Sequence, residues 1–254
     1  MFGGMKCGSA PQRNEPRFVG SDVRLRDDTA HEMHVALGVR SPGLTDEDYP
    51  TSLVMQSIVG TWDRSLGARH NLFTKVSHMA DSYGLCNSYA SFCEAHSDVG
   101  LWGTYIVSEN LSGIDDFVWF LQKEWARLTE SPTEGDVHIA KNKILTAIAH
   151  GAGAGSAAIA DDIGRRGSAT GSRLSAREFS SLIDRVTWKD VSRVAGTYLW
   201  DNEVAVVGVG PIEGLTDFVR YVPAAVSESG LPVFPWWPFV NLLDRLEIIS
   251  LFPR

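Results

Sequence analysis

From residue 111 to about 200 the chain reads almost entirely as amphipathic helix, with strand-like stretches on either side of that block. "SGIDDFVWFLQKEWARLTE" sets Ile114, Phe117, Val118, Leu121, Trp125 and Leu128 on one stripe at helical spacing, and Ser112 is placed to cap its start. "TEGDVHIAKNKILTAIAH" carries the period on through Val137, Ala140, Ile144 and Ile148, and Pro132 and Gly135 mark the break between the two helices. "SAREFSSLIDRV" and "WKDVSRVAGTYLW" predict two more helices, and "EVAVVGVG" a closing, buried strand.

The upstream part is mixed. "SDVRLRDD" alternates Val23 and Leu25 with Arg24 and Arg26, which predicts a half-buried strand. A second strand at 33–40 closes on the turn signal "SPG". "TDEDYPTSLVMQSIVG" then predicts a helix with Thr45 as its cap, and "NLFTKVSHMADS" a short one. Strands follow near 85–95 and 100–108, and the more apolar second one is expected at the centre of a sheet. The order β-β-α-α-β-β-α-α-α-α-β implies an α+β domain: a mostly antiparallel sheet with helices packed on one face. No internal repeat is visible.

Composition shifts divide the chain into three. Residues 1–17, rich in Gly, Pro and polar residues, read as a flexible lead-in, and 18–221 as the folded domain. The proline- and aromatic-rich end, 222–254, contains "FPWWPF" and then "VNLLDRLEIISLF"; such a tail either covers its own sheet or docks on another subunit, and docking is the expectation placed ahead. A chain of 254 residues has ample material for a core. Its formal charge of −8 and pI near 5.3 argue against a primary nucleic-acid binder.

Three cysteines (Cys7, Cys86 and Cys93) with no CxxC argue against a disulfide framework or a zinc knuckle, and suit a reducing compartment. The most apolar run, "LPVFPWWPFVNLL", is too short to span a bilayer and is broken by prolines. The opening "MFGGMKCGSAPQRNEPR" lacks the apolar core of a secretory signal, and Glu15 and two prolines give a transit peptide little support.

Chemistry-bearing motifs are scarce. "HEMHVALGVR" places His31, Glu32 and His34 together in a chain with 7 histidines. Zinc motifs of the HExxH and HxxEH types need histidines four apart on one helical face, and no two histidines in this chain have that spacing. On a strand, His31 and His34 would face opposite sides. The glycine cluster in "HGAGAGSAAIADDIGRR" has neither the Lys-Ser/Thr of a phosphate loop nor a preceding strand, and reads as a loop between helices. Asp161 and Asp162 stand four residues before Arg165 and Arg166, as in helix-surface ion pairs. There is no G-x-S-x-G, so no catalytic, cofactor-binding or metal-binding residue is assigned.

Eight fragments, in order, carry a family resemblance: "FVGSDVRLRDD", "HVALGV", "IVGTWDRSLG", "DVGLWGTYIVSE", "QKEWARL", "EGDVHIAKN", "DDIGRR" and "AVVGVGPIEGLTDF". From about residue 18 to 218 the chain resembles the C-terminal half of the β-type subunits of mitochondrial processing peptidase. The core 1 subunits of ubiquinol–cytochrome c reductase, respiratory complex III, belong to the same pitrilysin-like inverzincin family.

The resemblance implies one half of a two-halved clamshell, with the zinc-binding HxxEH in the other half. It implies a split gene product, or a fragment, whose companion N-terminal half is another chain. The implied function is a structural lobe of a β-type/core 1 subunit, peripheral to the mitochondrial inner membrane on its matrix side and in contact with the α-type/core 2 subunit. The enzymatic alternative is a rebuilt zinc endopeptidase that removes presequences. A freestanding adaptor is a third reading, at odds with the apolar surface a missing half would leave. Many members carry L-R-E-x-x-G-L-A-Y-S, whose Arg and Tyr hold substrate. Here the stretch is "HMADSYGLCNSYAS", without the arginine, with Asn87 at the tyrosine position and Tyr89 two residues later.

Overall fold

A computed structural model describes residues 16–66, 72–152, 155–171 and 174–215. Most of the lead-in and the whole tail from 222 lie outside the described residues. The strands are β1 (Asp22–Arg26), β2 (Met33–Pro42), β3 (Thr61–Asp63), β4 (Ser88–Ala95), β5 (Val99–Ser108) and β6 (Ala205–Gly210). The helices are α1 (Tyr49–Val59), α2 (Lys75–Tyr83), α3 (Gly113–Glu130), α4 (Glu134–Ala152), α5 (Ser156–Thr170), α6 (Ala176–Arg185) and α7 (Trp188–Tyr198).

The six strands form one mixed sheet in the order β1-β6-β2-β5-β4-β3, in which β1 and β6 alone run parallel. The last strand enters between the first two, so the helical block is one long connection that returns the chain to the sheet. The α+β architecture expected above is the one observed, with β5 inside the sheet between β2 and β4.

Period-two alternation in β2 sends Met33, Val35, Leu37 and Val39 into the core, all essentially without solvent contact. Helices cover that face. The α3 stripe read from the sequence is buried at every position, from Ile114 to Leu128. Its rings meet the sheet in two pairs, Phe117 with Tyr89 at 5.4 Å and Trp125 with Trp102 at 5.3 Å between centroids. On α4, Val137 and Ala140 are buried, and Ile144 and Ile148 pack against the core from its margin.

Several local expectations are corrected. Thr45 does not cap α1: that helix starts four residues later, with Pro50 in its first turn, where a missing N–H costs nothing. The Thr45 hydroxyl instead donates to the Ser97 carbonyl at 2.7 Å. Ser112 holds the N-cap position of α3 without a side-chain cap, and the Asn110 side-chain oxygen accepts from the Gly113 N–H instead, at 3.0 Å. Of the stretch 150–166, residues 150–152 and 156–166 are helical, not loop. The end of α4 and the start of α5 occupy it, separated by residues 153–155, and the Asp162–Arg166 pair closes at 2.8 Å along α5.

Two strands depart from their expected burial. The closing strand β6 buries only alternate residues, because Val207 and Val209 lie on the uncovered face of the sheet. On β1 the expected facing is reversed. Val23 is 45% and Leu25 60% exposed, while Arg24 turns to the covered side and donates to the Leu215 carbonyl at 2.7 Å. Pairing decides this: parallel register sets Val23 beside Val207, and Arg24 beside Gly208.

Candidate functional site

The histidine-rich opening of β2 comes first. His31 is exposed in a bend ahead of the strand, and only His34 lies within it, so strand alternation does not apply to the pair as expected. The His34 ring stacks on Tyr105 of β5, and its Nδ1 stands 2.7 Å from the Tyr105 hydroxyl. Register places Ala36, two residues on, directly opposite Tyr105, so the bond is diagonal across two strands. Sequence reading missed this pairing, since only the register of β2 on β5 could reveal it. Among the described residues no three or more His, Cys, Asp or Glu side chains come together to hold a metal ion. The side chains around His34 do not fit zinc.

The stretch compared above with a substrate-holding motif is divided between helix and sheet. His78–Tyr83 end α2, Gly84 caps it in the left-handed region at φ 60°, and Leu85 and Cys86 are buried. Asn87 is held by its backbone, its N–H donating to Val107 and its carbonyl accepting from Arg64. Tyr89 is buried, and its hydroxyl reaches the Val59 carbonyl at 3.1 Å and Thr74 Oγ1 at 2.8 Å. Burial first, despite the Thr74 hydrogen bond, raises its pKa well above the ordinary phenol value. A phenol so placed braces α1 and α2 against β4 and has no path to a substrate. Cys86 is buried and Cys93 half-buried, and burial pushes both thiols up to about 12, so neither supplies thiolate at neutral pH.

Polar side chains do gather in one interior cluster. Glu124 of α3 is buried and accepts two hydrogen bonds from Arg127, whose guanidinium also reaches Asp136 of α4 at 2.7 Å. Burial would raise the Asp136 carboxyl, but the Thr133 hydrogen bond and the charges of Arg127 and Lys75 outweigh it and hold it below the ordinary value. Lys143 reaches over Gly60 beside this network, and burial lowers its pKa. The cluster ties α3 to α4, and every acid in it already has its cation.

A cavity of about 610 Å³ lies between the β2–α1 loop and α5, α6 and α7. Tyr49, Phe179 and Leu182 contribute apolar walls, and Arg193 spans its rim to grip Asp48 through two hydrogen bonds of 2.9 and 2.6 Å. Neither the interior cluster nor the cavity places a cysteine thiol beside a histidine.

The remaining candidate is a surface. Opposite the helices, the outward residues of β1, β6, β2 and β5 run side by side: Val23 and Leu25, Val207 and Val209, His34 and Ala36, Tyr105 and Val107. Small residues let side chains lie flat there: a Cβ on Gly38 would touch Leu101, and one on Gly103 would strike the Phe92 ring. Antiparallel sheets that leave one face in water normally alternate polar residues on it; this one is largely apolar.

Comparison with known proteins gives the family. The model of the family described as "Peptidase M16 inactive domain" matches residues 3–144. The chain is 43% identical over 216 residues to the mitochondrial-processing peptidase subunit beta of Lentinula edodes, covering 85% of this chain and 46% of that protein. The probable mitochondrial-processing peptidase subunit beta of Schizosaccharomyces pombe is 44% identical over 211 residues, 83% of this chain and 46% of its own. The human subunit beta is 35% identical over 220 residues, 85% of this chain and 45% of its own. Among solved structures, a chain of complex III2 from Candida albicans with Inz-5 bound is similar at a TM-score of 0.79 and 32% identity, covering 83% of this chain and 50% of that one. This chain therefore spans about half the length of the relatives it matches. The family model covers more than half of the chain, and the chain belongs to the peptidase M16 inactive-domain family.

Proposed function

We propose that this chain is the structural C-terminal lobe of a β-type processing-peptidase/core subunit of mitochondrial complex III, held on the matrix side of the inner membrane. One observation carries the reading: the chain aligns along most of its length with β-type processing-peptidase subunits and a complex III2 chain, yet covers only 45% to 50% of those named above. The expected partners are a polypeptide equivalent to the relatives' other half, an α-type/core 2 subunit and further complex III subunits. Within the chain, 18–221 is assigned to the lobe and 222–254 to docking.

Two observations argue against this lobe itself carrying the zinc chemistry. The matched domain is described as inactive, and no metal-holding group occurs among the described residues. The second reading is a zinc endopeptidase for presequences, rebuilt with a companion that carries HxxEH. It would have the zinc and its ligands in the companion, and this lobe as a wall of the chamber.

Purifying the tagged full chain from its own cells and sequencing what accompanies it tests both. Complex III subunits with a degenerate zinc motif support the scaffold. An intact HxxEH with presequence cleavage by the assembly supports the peptidase. Absence of any complex III or processing-peptidase subunit defeats both. Deleting 231–254 is expected to weaken association with the assembly while leaving the thermal unfolding of the lobe unchanged.

A further inference from the structure

The polar cluster between α3 and α4 has one cation more than it can use. Glu124 and Asp136 both pair with Arg127, and Lys75 stands 3.9 Å from Asp136. Lys143 lines the same small cavity, yet among the described residues it makes no hydrogen bond and no ion pair. Its neighbours strip water from the amine and lower its pKa, and no carboxylate offsets the effect.

The surroundings of that amine are apolar and open. Val137 and Ala140 turn one side of α4 into the core, so Ile139 and Lys143, four residues apart, stack on its exposed side. Thr74 caps α2 and is buried, which leaves Phe73 just ahead of it turned outward and 76% exposed. Ile139 is 46% exposed, and Phe73, Ile139 and Lys143 border one cavity of about 20 Å³. That is room for roughly one oxygen-sized group.

We propose that Phe73, Ile139 and Lys143 form a docking site for a partner polypeptide that presents an Asp or Glu carboxylate beside an apolar side chain. The carboxylate pairs with the Lys143 amine, and the apolar side chain covers Phe73 and Ile139. Charge complementarity selects this occupant: in a chain of formal charge −8, the cavity brings three cations to two acids, and both acids are taken. The apolar flank selects a polypeptide over a free anion, because a small anion gains nothing from exposed Phe and Ile side chains. Part of the water around the amine is displaced in the free chain, which lowers the cost of forming the pair. The site rests on the function proposed above only for where its partner is sought.

The test purifies the tagged full chain from its own cells with what it binds, then adds a carbodiimide, which joins amines to carboxylates in contact with them. Peptide mass spectrometry reads the joined pairs. The expected result is an amide between Lys143 and an Asp or Glu of another polypeptide. Lys143→Glu and Phe73→Ser should weaken retention of that polypeptide at least about tenfold, and Lys189→Glu on α7 less than about twofold. Lys143→Arg keeps the charge, so it should lose the amide link and hold the partner within about twofold. Circular dichroism establishes that each variant is folded, and changing the joined acid to Lys should restore binding to Lys143→Glu.

A link confined to Glu124 or Asp136 of this chain, with retention unchanged in folded Lys143→Glu, overturns the site. Protection of Lys143 by inorganic phosphate in the isolated chain, with no link in the assembly, overturns it in favour of a free anion. Complex III or processing-peptidase subunits that accompany the chain without touching Lys143 overturn the site and leave the proposed function standing. A link to a polypeptide of neither kind removes the proposed function and leaves the site standing. A chain that comes alone overturns both.

Discussion

At the scale of single residues, the strongest constraints come from side chains whose role only their neighbours disclose. Gly103 of β5 is the sharpest case. A Cβ there would stand 1.9 Å from the Leu37 carbonyl oxygen and 2.8 Å from the Phe92 ring, so Gly103→Ala forces two strands apart. We expect a loss of about 3 kcal/mol in urea unfolding. Gly164 on α5 has nothing within 4 Å of the same added atom, and Gly164→Ala should stabilise by about 0.5–1 kcal/mol. Both are glycines in regular elements, and sequence alone does not tell them apart.

Asp136 makes a pH prediction on the same scale. Its carboxyl is held below the ordinary value of 3.8 in the fold, so the unfolded chain binds its proton first as pH drops. The stabilisation is present above that ordinary value and is lost as pH falls through the folded one. Thermal unfolding followed from about pH 5 to about pH 3 should show a steeper fall for the wild type than for Asp136→Asn. Lys143 is exposed like Lys123 and Lys189, but desolvation by its neighbours lowers its pKa, so a limiting amine reagent should acylate it faster than those two, as read by peptide mass spectrometry.

At the scale of elements, the starts of α6 and α7 are legible in the sequence, each with a cap directly before its helix. Ser175 and Thr187 open α6 and α7 with capping boxes, in which Glu178 and Asp190 return the hydrogen bond. Thr187→Ala should cost about 1 kcal/mol. Thr45→Ala should cost less and leave helical circular dichroism unchanged, because Thr45 bonds the Ser97 carbonyl and caps nothing. The α3 stripe was read correctly at each position because a long helix with one packed face repeats its signal for five turns. By contrast α5, with no fully buried side chain among those described, lacks such a stripe, and its glycines read as a loop. Strand β1 misled for another reason. Five residues alternate equally well with either face inward, and the parallel register on β6 chose the face carrying the arginines.

At the scale of the whole molecule, the described residues form a sheet with helices on one side and a largely apolar strip on the other. The chain produced alone should therefore enhance the fluorescence of a dye that binds apolar surface while still fully folded. Introducing Leu25→Glu should reduce that signal. The sequence by itself determined the α+β class, the order of the main elements, the α3 core stripe and the family resemblance, because each rests on local periodicity or on fragments read in order. Tertiary structure alone decided which face of β1 is inward, that β6 enters between β1 and β2, and that His34 is bonded to Tyr105. It also left the aliphatic face of the sheet without cover from the described residues. These depend on pairings between residues far apart in the chain, and a strand's alternation carries no mark of which side its neighbours will cover.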